Sequence, residues 1–154
     1  MKSPIWWLAT LGAMVVIACS NTSESPGGAA EVPSQDSEPY RLEIKAPAKA
    51  QVGQEARTEI VVTPGAGYKI NVEYPAKLTL SKVPEGTKVA STTITKSKMN
   101  VEKTRLVVPV AFTPEGPGAK QFEGELRFSV CNPESCQMPR ETVSWTTSAE
   151  VAAP

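Results

Sequence analysis

QFEGELRFSV, residues 121–130, sends alternate side chains to opposite sides: Phe122, Gly124, Leu126, Phe128 and Val130 one way, Gln121, Glu123, Glu125, Arg127 and Ser129 the other. A strand turns successive side chains to opposite faces, so a period of two with one apolar face describes a half-buried strand of an antiparallel sheet. The same rhythm continues in both directions. Downstream, ETVSWTT (141–147) adds Val143 and Trp145. Upstream, RLVVPVAF (105–112) aligns Leu106, Val108, Val110 and Phe112, and AKLTLSK (76–82) aligns Ala76, Leu78 and Leu80. ARTEIVVT (56–63) aligns Ala56, Thr58, Ile60 and Val62, and YRLEIKA (40–46) aligns Tyr40, Leu42, Ile44 and Ala46.

Turn signals separate these runs: PGAG at 64–67, PEG at 84–86 and PEGPG at 114–118. No window supports an amphipathic helix, and 14 prolines argue against one. An all-β fold follows, an immunoglobulin-like antiparallel β-sandwich of about seven to eight strands over residues 40–151, with 152–154 as a tail. A small closed barrel is the alternative. Pro109, inside an otherwise good strand, marks an edge or a bulge.

The amino terminus reads differently. MKSPIWWLATLGAMVVIACS (1–20) carries one positive residue, Lys2, and then an uncharged, mostly apolar run over 5–17. That run is about two-thirds of the ~20 residues that span a bilayer, so it reads as the core of a signal peptide. Val16-Ile17-Ala18-Cys19 resembles the lipobox of bacterial lipoproteins. The resemblance implies a signal peptide over 1–18, lipidation of Cys19 and a lipid anchor in the membrane. Ser20 after that cysteine favours the outer membrane of the bacterial envelope, with the domain facing the periplasm. Residues 20–39, SNTSESPGGAAEVPSQDSEP, hold no aromatic residue, four acids and no base. Such a segment cannot bury enough apolar surface to offset its ordering entropy, and 19–39 is expected to be a disordered tether.

Composition removes several kinds of chemistry. The chain has no histidine, which excludes Ser-His-Asp and Cys-His catalysis and His-ligated zinc or copper. Two thiolates do not complete a structural zinc site, so neither a metal nor another cofactor is expected. Glu123 and Glu125 belong to the solvated side of their strand. Lys and Arg balance Asp and Glu at 16 each. The densest basic cluster, KSKMNVEKTR (96–105), reads as a solvated loop and strand edge. Nothing supports a nucleic-acid partner.

With Cys19 assigned to lipid, Cys131 and Cys136 remain in FSVCNPESCQMP (128–139). Export into an oxidising compartment lets them pair with each other. The strand ending at Val130 runs into Cys131, and NPES can form a four-residue hairpin loop with Pro133 at the second position of a type I turn. The cysteines then oppose each other at the neck, within disulfide range. A ring this short contributes only about 2 kcal/mol by chain entropy, and a short-loop disulfide at a turn is open to attack by another thiolate. The residues alone leave a structural clip and a redox couple equally open.

GYKINVEYP (67–75), followed by FSVCNPESCQMP, resembles the amino-terminal periplasmic domain of the thiol:disulfide interchange protein DsbD family. The likeness covers about 40–151. It implies an immunoglobulin-like sandwich with the cysteines on adjacent late strands. It also implies electron exchange with a periplasmic redox protein or a membrane electron transporter, with Cys136 forming the mixed disulfide and Cys131 resolving it. Aromatic residues shield the pair in that family, and Tyr68 and Tyr74 are the candidates here. Two departures stand out. Lys69 takes the place of a histidine common in that stretch, and along the chain only Arg140 supplies a base close to the pair. Full-length relatives also carry a transmembrane and a thioredoxin-like domain that this chain lacks, so any electron source is another polypeptide. The competing reading is a non-enzymatic lipoprotein binding module in which Cys131 and Cys136 form a hairpin clip.

Overall fold

A computed structural model describes residues 38–153. The 1–18 signal peptide, Cys19 and all but the last two residues of the 19–39 tether lie outside the described residues. The first strands are β1 (Tyr40–Lys45), β2 (Lys49–Gln51), β3 (Ala56–Pro64), β4 (Lys69–Ile70), β5 (Lys77–Lys82), β6 (Thr87–Val89) and β7 (Thr93–Thr95). After a 3-10 turn at Lys96–Lys98 come β8 (Asn100–Glu102), β9 (Arg105–Pro114), β10 (Gly118–Arg127), β11 (Val130–Cys131), β12 (Cys136–Gln137) and β13 (Arg140–Glu150). The alternating runs are the strands of six or more residues: β1, β3, β5, β9, β10 and β13. The others have two or three residues, too few for a period of two to register.

The strands form an immunoglobulin-like β-sandwich. One five-stranded sheet runs β1-β3-β9-β6, with β8 also on β9; the other runs β2-β13-β10-β5-β7. Every pairing in them is antiparallel except β2 with β13. A third, three-stranded sheet is ordered β12-β11-β4. The expected inward residues form the core. Ile60, Val62, Leu106, Val108 and Phe112 of the first sheet meet Leu78, Phe122, Leu126, Val143 and Trp145 of the second. Phe112 and Phe122 bridge the layers with ring centroids 4.9 Å apart, and Phe122 stacks on Trp145 at 5.0 Å and 10°. Each fully buried side chain of this size contributes roughly 1.5–3 kcal/mol.

Two local departures have backbone causes. Opposite β3, β9 is covered by β8 as far as Val107 and by β6 from Phe112 onward. Pro109 lies between them, where its missing N–H breaks no ladder on that flank. The β10–β5 register shifts between Glu123 and Gly124. A Cβ at Gly124 would stand 2.8 Å from the Thr79 carbonyl oxygen, so the close approach of β5 requires glycine there.

Tyr40 closes one end of the first sheet. Its ring meets Phe128 edge-on at 4.9 Å and its hydroxyl donates to the Glu141 carboxylate. Burial first, then the Glu141 hydrogen bond and negative charge, push its pKa up to about 12. The fold therefore holds the protonated phenol. This contribution to stability is complete below the unfolded value near 10 and is lost as pH rises from about 10 to 12. Absorbance of tyrosinate at 295 nm is expected to show one late step near pH 12, and Tyr40→Phe is expected to remove it. The absence of any Tyr40-dependent step near pH 12 would contradict this placement.

Candidate functional site

The cysteine hairpin is the tip of the long β10–β13 hairpin. That ladder ends at Arg127 opposite Arg140 and resumes in the same register as Val130 opposite Gln137 and Cys131 opposite Cys136. The interruption corrects the expectation that 121–130 runs as one strand into Cys131. Phe128, Ser129 and Val130 are all buried, so the alternation lapses. Opposite them Pro139 has no N–H to offer a ladder. The tip joins β4 instead: Val130 opposes Ile70, Cys131 opposes Lys69, and Asn71 N–H donates to the Ser129 carbonyl at 2.8 Å.

The NPES turn is closed by its own side chains. Asn132 Oδ1 accepts from the Glu134 and Ser135 amides at 3.0 and 2.7 Å, and the Asn132 amide donates to the Ser135 carbonyl at 2.9 Å. This is the Asx-turn chemistry that makes asparagine a turn residue. Cys131 and Cys136 are directly opposed in the hairpin and joined by a disulfide, their Cα atoms 4.0 Å apart. Cys131 is half-buried, whereas Cys136 is exposed, and Met138 beyond it is 63% exposed.

Two hollows flank the tip. One, of about 400 Å³, is lined by Lys69, Asn71, Lys103, Cys131 and Pro133 among others. The Ile70 amide donates to the Lys103 carbonyl at 2.8 Å, which fixes the β8–β9 turn against β4. The second, of about 300 Å³, lies between Tyr68 and the turn residues Asn132, Pro133 and Glu134. Tyr68 packs on the core and flanks the cysteine turn. Tyr74 is half-buried in its own turn, its amide donating to the Asn71 carbonyl, and lines neither hollow. The two aromatic candidates thus part company.

The basic neighbours also differ from the reading along the chain. Arg140 opposes Arg127 and, after the Arg127 hydrogen bond, helps hold the Glu125 carboxyl below its usual range. Lys69 and Lys103 are the bases that share a hollow with Cys131. Lys69 was visible in GYKIN. Lys103 had no local signal, because a hairpin distant in sequence delivers it. Among the described residues, no three His, Cys, Asp or Glu side chains gather where they could hold a metal ion.

No family model and no curated protein matches the chain. Solved structures similar to it include the cohesin module of a Clostridium perfringens family 33 glycoside hydrolase, at 14% identity and TM-score 0.47 over 73% of this chain and 98% of that one. AggA, the major subunit of aggregative adherence fimbriae type I from Escherichia coli, matches at 13% identity and TM-score 0.41 over 73% and 95%. Native alpha-2-macroglobulin from Escherichia coli, from domain MG7 to the C-terminus, matches at 14% and 0.46 over 75% and 17%. With TM-scores this low, the sandwich rests on the chain's own sheet pairing, and these likenesses carry no chemistry to it.

Proposed function

We propose that the chain is a lipid-anchored periplasmic thiol–disulfide exchange domain, working through Cys131 and Cys136. The observation that carries this reading is the asymmetric exposure of the disulfide at a hairpin tip: Cys136 open to solvent, Cys131 half-buried. In the reduced chain the Cys136 thiolate attacks a partner's disulfide, forming a mixed disulfide and releasing one partner thiolate. Cys131 then attacks the Cys136 sulfur, closing the Cys131–Cys136 disulfide and releasing the second partner thiolate. The partner is a periplasmic redox protein or a membrane electron transporter, as the likeness of GYKINVEYP and FSVCNPESCQMP to the DsbD amino-terminal domain implies.

The clip reading asks the disulfide to hold a turn that Asn132 already closes with hydrogen bonds. It also places the covalent bond at an exposed edge, where it protects little. The reduction potential of the purified chain, equilibrated in glutathione buffers, tests the choice. A value between about −120 and −270 mV, the range of known carriers, is expected. A value well below about −300 mV would leave a structural clip on a non-enzymatic binding module.

A further inference from the structure

We propose that Lys69, Lys103 and Ser129 form a cradle for the sulfur of Cys131, making it the thiolate that leaves when Cys136 is attacked. This rests on the exchange reading above and assigns it three further residues. Lys69 stands directly opposite Cys131 across the β4–β11 ladder, and opposed residues of an antiparallel pair share a face. Both line the hollow that Lys103 of the β8–β9 turn also lines. Ser129 is 1% exposed, and its hydroxyl lies 3.9 Å from the Cys131 sulfur, within reach of a hydrogen bond to sulfur. Cys136 has no such surroundings. It lies on the outer strand of the small sheet, exposed, and lines neither of the two hollows that flank the tip.

The only co-reactant is a dithiol donor, which leaves as a disulfide. A donor thiolate attacks the Cys136 sulfur from the side away from Cys131. A donor–Cys136 disulfide bond forms as the Cys136–Cys131 bond breaks, and the bonding pair stays on Cys131. The donor sulfur is oxidised, Cys131 is reduced, and no proton moves. A second thiolate of the donor then attacks the donor sulfur of the mixed disulfide and releases Cys136. Two cations and a hydroxyl beside Cys131 stabilise its thiolate, and a more acidic thiol leaves faster.

The full chain tests this in two single-cysteine backgrounds, by the pH dependence of iodoacetamide alkylation. In Cys136→Ser, Cys131 is expected to half-titrate about one pH unit below the ~8.5 of an ordinary thiol, while in Cys131→Ser, Cys136 stays near ~8.5. Lys69→Gln and Lys103→Gln, added to Cys136→Ser, are each expected to raise the Cys131 midpoint by about half a unit. Ser129→Ala is expected to raise it less. In the disulfide-bonded chain, the two lysine changes together are expected to slow reduction by 2-mercaptoethanol about two- to threefold. Both lysines are exposed, so circular dichroism should match the parent. A Cys131 midpoint at or above that of Cys136, or one unmoved by both lysine changes, overturns the cradle. A low midpoint in a chain whose potential is too reducing for exchange overturns the exchange reading instead, so the two failures are distinct.

Discussion

Chains carrying Cys131→Ser are expected to accumulate covalent adducts with other exported proteins, while chains carrying Cys136→Ser accumulate none. The asymmetry follows from exposure: Cys136 is the exposed sulfur whose thiolate attacks a partner's disulfide, and Cys131 is the one that then cuts the mixed disulfide. Removing Cys131 removes resolution, so the adduct persists until an external thiol cleaves it. Removing Cys136 leaves a half-buried thiol with no exposed partner. Adduct yield, read on non-reducing gels after acid quenching, should differ roughly tenfold or more between the variants. Neither change touches the core, and the Asn132 hydrogen bonds keep the turn closed in both. Equal adducts from both variants would mean that the hairpin does not discriminate its sulfurs. None from either would return the pair to a structural clip.

Phe122→Ala is expected to be the most damaging single truncation in the sandwich. The ring is fully buried, bridges to Phe112 in the opposite sheet and stacks on Trp145 of the adjacent strand. Alanine removes contacts to both layers, and β-sheet backbones on either side cannot collapse into the space. Losses of about 3–5 kcal/mol accompany Phe→Ala changes in such cores. For a domain of this size that corresponds to a fall in Tm of roughly 10–20 °C. Guanidinium unfolding followed by circular dichroism measures it, and a loss under about 1 kcal/mol would contradict the packing. The Cys131–Cys136 bond lies in the third sheet and should still form in the variant.

How much of this could be read from sequence depended on the distance over which each feature is set. Strands such as β9 and β10 are long enough for their alternation to show, and their inward residues are the ones that meet in the core. The NPES turn is a local matter of Asn132, and it was legible too. The break at Phe128 and Ser129 was not, because both residues fit an alternating or a doubly buried reading until a second partner, β4, is known. Lys103 was invisible as a site residue for the same reason. Its place beside Cys131 depends on the β8–β9 turn docking against β4, a contact no local pattern encodes.

Within β11 the two residues have opposite duties. Val130 is fully buried in the core cluster, and its neighbour Cys131 therefore faces the other way. The reactive sulfur is aimed by parity: an odd step from a valine that has only one place to go. Inserting or deleting one residue between Phe128 and Cys131 would exchange those duties, drawing the sulfur inward and casting an apolar side chain out, although every group needed for the chemistry would still be present. The sandwich thus acts on the disulfide as a phase reference, and the bearing of the site is inherited from the core rather than set by the hairpin that carries it.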